Sequence, residues 1–515
     1  MNYLRNSVFV LLVLLSFGTV SYGDDYQQAI GLIHMDSEVS GGENTVAMLG
    51  AVARNAGADV AIVTDHDTQK ATYGIWPLRK ILRVSHARAS IRNYGILNYL
   101  EEVRLTDEDL DDFTYIPGIE AVPYYSWEKS SFSNSPMIAN LHRHILVIGM
   151  EGPEQIENLP SIEAGYPREY TTGSLLKLLW ILPLLISFFL FKPPDSRSTH
   201  QQGWFKALFS EEINYLSIPL LVVSVIFLFD AYPFNEPVVD QYPPNDGIKP
   251  YQIFIDYVNE QGGMTFWAHP EAMYDETIST EKGNPIVTAA LRSVLSEGLE
   301  IKTEPYYHLL NSTRDYTGFA IFFEGYKVVG RPEGVWDSTL LQFCRGDRER
   351  PIWAISEIDM EEGTDPETAS ESQTVFLVKD KTKADYLDAL KKGRVHCFSL
   401  NLTKWVTIND FSVQSDGLNA ISGEVLPYAG SAEMNLDIDI RKQDLELTAV
   451  VINNGRAIYT EKLNGSRKLS VKLGEPLDRM GYVRVVFYIG TEMRIATNPI
   501  FYLNTLSTST SVDAL

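Results

Sequence analysis

Val60-Ala61-Ile62-Val63-Thr64-Asp65-His66-Asp67 is the stretch on which the reading of this 515-residue chain turns. An unbroken apolar run of this length reads as a strand buried on both faces. The Thr-Asp-His-Asp that follows falls at the strand's C-terminal end. On its N-terminal side a helical period covers Val46 to Ala56. Further along, strand-like runs at Ile145 to Ile148 and Met264 to Trp267 alternate with helical stretches such as Ile253 to Asn259, as far as about Leu400. Such alternation predicts an α/β fold.

Polar motifs of the same kind recur at the ends of these runs. Five of the nine histidines fall in or beside Ile33-His34-Met35-Asp36-Ser37, Thr64-Asp65-His66-Asp67, Leu141-His142-Arg143-His144 and Ala268-His269-Pro270. Glu120 follows Pro117-Gly118-Ile119, and Glu357 and Asp359 follow the apolar run Ile352 to Ile355. Imidazole and carboxylate together suit hard and borderline divalent cations, and more than one cation calls for a carboxylate that bridges. A barrel of alternating strands and helices collects its site at the C-terminal ends of its strands. Any one of these motifs alone is weak; their order carries the weight.

That order resembles the PHP (polymerase and histidinol phosphatase) superfamily over about residues 30 to 150 and 250 to 400. The family's opening His-x-His-Ser is similar to His34-Met35-Asp36-Ser37, and its Thr-Asp-His-(Asp/Asn) to Thr64-Asp65-His66-Asp67. Its Gly-x-Glu resembles Gly118-Ile119-Glu120, and its histidine followed five residues later by Gly matches His144 with Gly149. Ala268-His269-Pro270 meets its Ala-His-Pro, and its closing Asp-x-His falls on Glu357-Ile358-Asp359. Trp336-Asp337 and Ala389 to Val395 look nearest to the CehA/McbA branch. The resemblance implies a distorted (β/α)7 barrel with up to three divalent metal ions (Zn, Mn or Fe) at its mouth. His34, His66, Glu120, His144 and His269 would be ligands, Glu120 bridging. Water activated by the metals would attack a phosphoester or a related ester, carbamate or amide, with Asp65 or Asp67 orienting His66 or accepting a proton. Arg143, between two site histidines, could hold an anionic substrate group or form a surface ion pair.

Three positions depart from the family pattern. Asp36 replaces the second opening histidine, Ser40-Gly41-Gly42 stands where the family has Ser-Asp-Gly, and Glu357-Ile358-Asp359 closes the set. Asp36, Glu357 and Asp359 can still ligate through oxygen, which favours harder ions such as Mn or Mg. Gly41 cannot, and Glu43 is the nearby candidate to replace it. Two functions therefore stay open: a metal-dependent hydrolase of a small molecule, anionic or neutral, and a catalytically degenerate metal-binding or ligand-sensing protein.

Apolar runs at about Leu175 to Phe191 and Tyr215 to Phe229 interrupt the barrel pattern. They read as a transmembrane helical hairpin, with two buried core helices as the alternative. Trp180, Tyr215 and Tyr232 lie at their ends, as at a membrane interface. Arg5, the apolar run Val8 to Val20 and Ser21-Tyr22-Gly23 before Asp24-Asp25 form a signal peptide or an uncleaved anchor. Export of residue 24 onward would leave the loop bearing Lys192, Arg197 and Lys206 in the cytoplasm, as the positive-inside rule requires. Everything else would lie on the periplasmic side of the membrane. The expected organisation is a signal at 1–23, barrel at 24–173 and 232–402, hairpin at 174–231, and a β-sandwich at 403–503 with a loose tail at 504–515. The sandwich rests on the alternation of Met434, Leu436, Ile438 and Ile440 with polar residues, and on Asn454-Gly455 and Asn464-Gly465 as hairpin turns.

A formal net charge of -24 with no basic stripe argues against nucleic acid as a partner. Two cysteines, Cys344 and Cys397, are too few for a disulfide scaffold or a thiolate site. The basic stretch Arg79 to Arg92, with His86 and Arg88, reads as a solvated helix face.

Overall fold

Each apolar run at the core of the pattern forms a strand, in the order the motifs suggest. In the computed structural model β1 (Gln27–Ile33), β2 (Val60–Val63), β3 (Thr114–Ala121), β4 (Ile145–Ile148), β5 (Met264–Trp267), β6 (Gly318–Phe322) and β7 (Trp353–Ser356) are hydrogen-bonded neighbours in sequence order. Described are residues 26–76, 78–129, 136–190, 217–242, 247–278, 299–363, 365–428, 430–476 and 479–504. The signal segment, the loop with Lys192, Arg197 and Lys206, and the tail beyond 504 lie outside them.

The seven strands close on themselves at one end. Met35 and Met360 form a parallel bridge there, and Ile358 N donates to Ile33 O at 2.9 Å. One apolar residue from each strand, Ile33, Ile62, Ile116, Leu146, Phe266, Ala320 and Ile355, joins a single buried cluster that fills the barrel. Their sequence neighbours Leu32, Ala61, Val63, Val147, Trp267 and Ala354 belong to a second cluster with Leu49, Val103, Phe254 and Leu340 of the surrounding helices. Strands covered on both faces explain why the runs are continuous rather than alternating.

The barrel is distorted at β4, which runs antiparallel to both β3 and β5. Among the described residues no crossover helix links β3 to β4; strands Ser126–Lys129 and Pro136–Ala139 lie in the connection and pair antiparallel with each other. An antiparallel neighbour needs no crossover.

Two expectations from local sequence are corrected. Arg79 to Arg92 is not a helix face: Arg83–Ala87 is a strand paired antiparallel with Lys70–Gly74. Charge alone does not separate the two, whereas Gly74 is a turn signal. Nor is Asn464-Gly465 a hairpin turn, since Arg456–Leu463 pairs with Leu447–Asn453 and Arg467–Leu473 pairs with Ala432–Ile440 in another sheet. Asn454-Gly455 does close a hairpin, with both residues at positive φ (50° and 85°) as a tight primed turn requires.

Past β7, Ser372–Val378 (β8) pairs antiparallel with β1 and Val395–Ser399 (β9) with β8; β9 in turn pairs with Glu492–Thr497. The barrel sheet thus runs without a break into one layer of a C-terminal pair of sheets. Met434, Leu436 and Ile438 of the other layer pack in one core with Leu447, Ala449, Val485 and Phe487.

Helix Thr172–Leu190 has 19 residues and the length and composition to cross a membrane, while Ser217–Ala231 is shorter among the described residues. The two lie together, with Trp180 stacked on Phe227 at 4.3 Å between ring centroids. They are not buried core helices: 11% of the apolar window of the first is buried.

Candidate metal centre

The barrel closure gathers the polar motifs at one mouth. His34, His66 and His269 follow β1, β2 and β5, Glu120 lies at the end of β3, and Glu357 follows β7. His144 instead precedes β4. Because β4 is antiparallel, its start opens on the same mouth.

Glu120 is the centre of the group. Its Oε2 lies 3.2 Å from His34 Nε2 and 3.1 Å from His66 Nε2; its Oε1 is 3.5 Å from His269 Nε2 and also touches His144 Nδ1. His66, Glu120 and His144 form one set able to hold a cation, and His34, Asp36 and Glu120 a second, each with its ligand atoms within 4.8 Å of one another. All five side chains are buried.

Their hydrogen bonding is incomplete in a telling way. Asp36 Oδ2 and His66 Nδ1 are buried without a hydrogen-bond partner, and His34 Nε2, Glu120 Oε1 and His144 Nδ1 are buried with only one another's groups at contact distance. Buried polar atoms left unpaired or crowded only on one another are costly, and a cation among them would complete them. Electrostatics agrees. Burial and the neighbouring Glu120 push the Asp36 carboxyl well above its ordinary range, while burial drives the His66 imidazole down to about 4. Burial would raise Glu120, yet His144, His66 and His34 hold it well below the carboxylate range. Burial would lower His34, yet Glu120 and Asp359 raise it well above an ordinary imidazole. Donor type, burial and orphaned atoms all suit a divalent metal at each set.

Backbone conformation is specialised at the same place. His34 (φ 72°), His269 (φ 22°) and Asp359 (φ 55°) occupy the left-handed region that non-glycine residues rarely adopt.

The remaining expected site residues divide by what they touch. Asp359, partly exposed, has Oδ1 3.6 Å from His34 Nε2 and lines the cavity above the cluster. Glu357 is placed behind it rather than in it: Oε2 lies 2.9 Å from His34 Nδ1 and Oε1 accepts from His269 N at 2.6 Å. A carboxylate on the far nitrogen of a ligating imidazole fixes its ring and tautomer. Tyr306 OH does the same for His269, 3.2 Å from Nδ1. Asp65 does not orient His66; it accepts from Ser37 N, Ser37 Oγ, Ser40 N and Ser40 Oγ, pinning the loop that carries Asp36. Asp67 faces Arg92, with Nε 3.6 Å from Oδ2, and burial raises its carboxyl to about 6. Glu43 Oε2 accepts from Gly363 N at 3.2 Å and does not replace the family carboxylate at Gly41.

A cavity of ≈ 390 Å³ opens over the cluster, lined by His66, Glu120, His144, His269 and Asp359 below and by Lys70, His86, Arg88, His142, Tyr274, Glu324 and Glu361 around the wall. Arg143 is not among the lining residues. Its guanidinium lies 6.0 Å from the Tyr306 ring centroid, and its charge lowers the Tyr251 pKa against the larger, opposite effect of burial. The cations of the wall come instead from the strand pair Lys70–Gly74 and Arg83–Ala87 and from Arg88 just beyond it. Nothing local in the sequence placed that hairpin over the barrel mouth.

No protein-family model matches the chain, and no curated protein matches it. Among solved structures it is similar to a two-domain protein from Bacteroides vulgatus containing a predicted PHP-like metal-dependent phosphoesterase. That likeness has 12% identity, covers 91% of this chain and 93% of the other, and has a TM-score of 0.32. An amidohydrolase from Chromobacterium violaceum is similar at 13% identity over 64% of this chain and 87% of the other, with a TM-score of 0.22. At such scores these likenesses decide nothing about activity, and the reading of the mouth rests on its own residues.

Proposed function

We propose that this chain is a PHP-type metal-dependent hydrolase, exported and held at the membrane by the helical pair, that acts on a phosphoester or a related ester, carbamate or amide. The observation that carries it is Glu120, shared by two buried sets of ligand-type side chains beneath an open cavity. His66 and His144 would hold one divalent ion with Glu120, and His34 and Asp36 a second, with His269 and Asp359 beside them. Bound there, a divalent ion supplies electrophilic polarisation of the scissile group and lowers the pKa of water. The protein's own part is orientation: Glu357 and Tyr306 fix the His34 and His269 rings, and the cavity wall holds the substrate.

Placement in the CehA/McbA branch rests on Trp336-Asp337 and Ala389 to Val395. Location on the periplasmic side rests on the exposed apolar faces of the helical pair and on the positive loop between them. A degenerate, metal-binding sensor is the second reading, favoured by Gly41 and by the engagement of Glu357 away from the cluster. Metal content of the purified protein, followed by hydrolysis of a generic phosphate ester with added Mn or Zn, separates the two. The hydrolase reading requires turnover that His66→Ala abolishes; metal without turnover selects the sensor, and neither metal nor turnover defeats both.

A further inference from the structure

The hairpin that walls the cavity also reaches the helical pair. Beyond Gly74 its turn packs Trp76 against Phe227, ring centroids 5.5 Å apart, and Phe227 is itself stacked on Trp180. Lys80 Nζ donates to Asp230 O at 2.6 Å and to Tyr232 O. The turn is therefore fastened to the barrel-side end of the apolar helices, yet Trp76 is 62% exposed, Ile81 57% and Leu82 43%. Large apolar side chains in a row are unusual on a surface that meets only water.

Depth and company identify what covers them. Phe227 precedes the helix end at Ala231 by four residues, about 6 Å along the axis. If the pair spans a bilayer, that level is its polar interface, roughly 5–7 Å thick in each leaflet. Tyr170 and Tyr232, both largely exposed, flank the same ends. Tryptophan and tyrosine gather at this depth because their rings are apolar and their N–H or O–H is not.

We infer that the turn bearing Trp76, Ile81 and Leu82 is seated in the interfacial layer of a lipid bilayer, which ties the Lys70/His86/Arg88 wall of the cavity to the membrane surface. The inference rests on the spanning reading of the helical pair. Its consequence is that the mouth of the metal centre opens beside the lipid headgroups.

Cys344 and Cys397 are buried, so an introduced surface cysteine takes a thiol probe alone. Leu82→Cys, Ile81→Cys and Leu182→Cys of the full chain are each labelled with a polarity-sensitive fluorophore in phosphatidylcholine nanodiscs. Spin-labelled phosphatidylcholine then quenches from a shallow or a deep position. The inference expects at least twofold quenching of the Leu82 and Ile81 probes by the shallow label, and of the Leu182 probe by the deep one. Quenching at Leu182 with none at Leu82 and Ile81 leaves the span intact and overturns the seated turn. No quenching at any site removes the span and the inference with it. A blue shift at Leu82 that follows protein concentration rather than lipid would assign the patch to a second copy of the chain, also overturning it.

Discussion

Arg484 holds Asp337 through two charge-assisted hydrogen bonds, Nε to Oδ1 and Nη2 to Oδ2, both 2.8 Å. Asp337 opens helix Val335–Arg345 of the barrel, and Arg484 lies on strand Met480–Ile489 of the C-terminal sheets. The guanidinium also covers Trp336 at 4.4 Å, and Tyr482 OH donates to Asp337 Oδ1 at 2.8 Å. Neither side of the pair exceeds 1% exposure, so losing one partner strands a buried charge. Arg484→Ala is expected to destabilise the protein by roughly 3–5 kcal/mol. Arg104→Ala, which removes exposed, solvent-screened ion pairs to Glu101 and Glu108, is expected to change stability far less. Denaturant unfolding of the two variants side by side checks the contrast, and equal losses would deny the pair its role in joining barrel to sandwich.

Glu120 and Glu357 are both buried carboxylates against His34, but they have opposite tasks. Glu120→Gln removes the charge of the carboxylate shared by both ligand sets and is expected to abolish stoichiometric metal binding at the two together. Glu357→Gln loosens only the His34 ring and the His269 backbone that it holds, and about 10–100-fold in metal affinity or activity is the usual loss for such a change. Metal titration followed by elemental analysis distinguishes them. Equal stoichiometric loss from both variants would make Glu357 a ligand after all.

How far this centre could be read in advance depended on how local each signal was. Val60 to Val63 announced a doubly buried strand, and Asn454-Gly455 needs only its own backbone to turn. The residues that converge on Glu120 were marked by motif order, though no local rule shows that His144 reaches the mouth from the start of an antiparallel strand. That Arg88 rather than Arg143 lines the cavity was hidden for the same reason. A cation between two site histidines looks catalytic, but Arg143 stands outside the cavity lining that His142 and His144 share, and Lys70 and Arg88 reach the wall from a distant hairpin and just beyond it. Trp336-Asp337 and Gly393 stood out as motif residues, yet their visible work is packing: the first pair docks the sandwich, and at Gly393 (φ 70°) an added Cβ would meet Trp353 at 2.3 Å.

Topology of the helical pair is open to a direct test. A reporter fused near Thr199 is expected in the cytoplasm and one after Leu503 outside it, because the loop carries Lys192, Arg197 and Lys206 while the flanking barrel segments share one compartment. Activity of paired fluorescent and phosphatase reporters at each site measures this. The reverse pattern sinks the periplasmic placement, although the metal centre would survive it.

Arg88 and Arg143 provide the sharpest contrast for substrate recognition. Of the basic residues around the cavity wall, Lys70 is already paired with Glu163 at 2.9 Å, and burial with the nearby Arg88 lowers the His86 pKa, so His86 is largely neutral at physiological pH. Arg88 lines the cavity together with Glu361, whose pKa burial, Asp359 and Glu120 raise and Arg88 partly offsets. A guanidinium suits a phosphate or carboxylate because it offers paired donors in a fixed plane. For an anionic ester, Arg88→Ala is expected to lower kcat/KM about tenfold, equivalent to ~1.4 kcal/mol, chiefly through KM. A neutral ester of the same leaving group should lose far less. Arg143→Ala should leave the KM of both unchanged, since that guanidinium sits against Tyr251 and Tyr306 outside the cavity. Steady-state kinetics on the four combinations of variant and ester checks this, and a KM effect confined to Arg143→Ala would return the anion to the residue between the histidines.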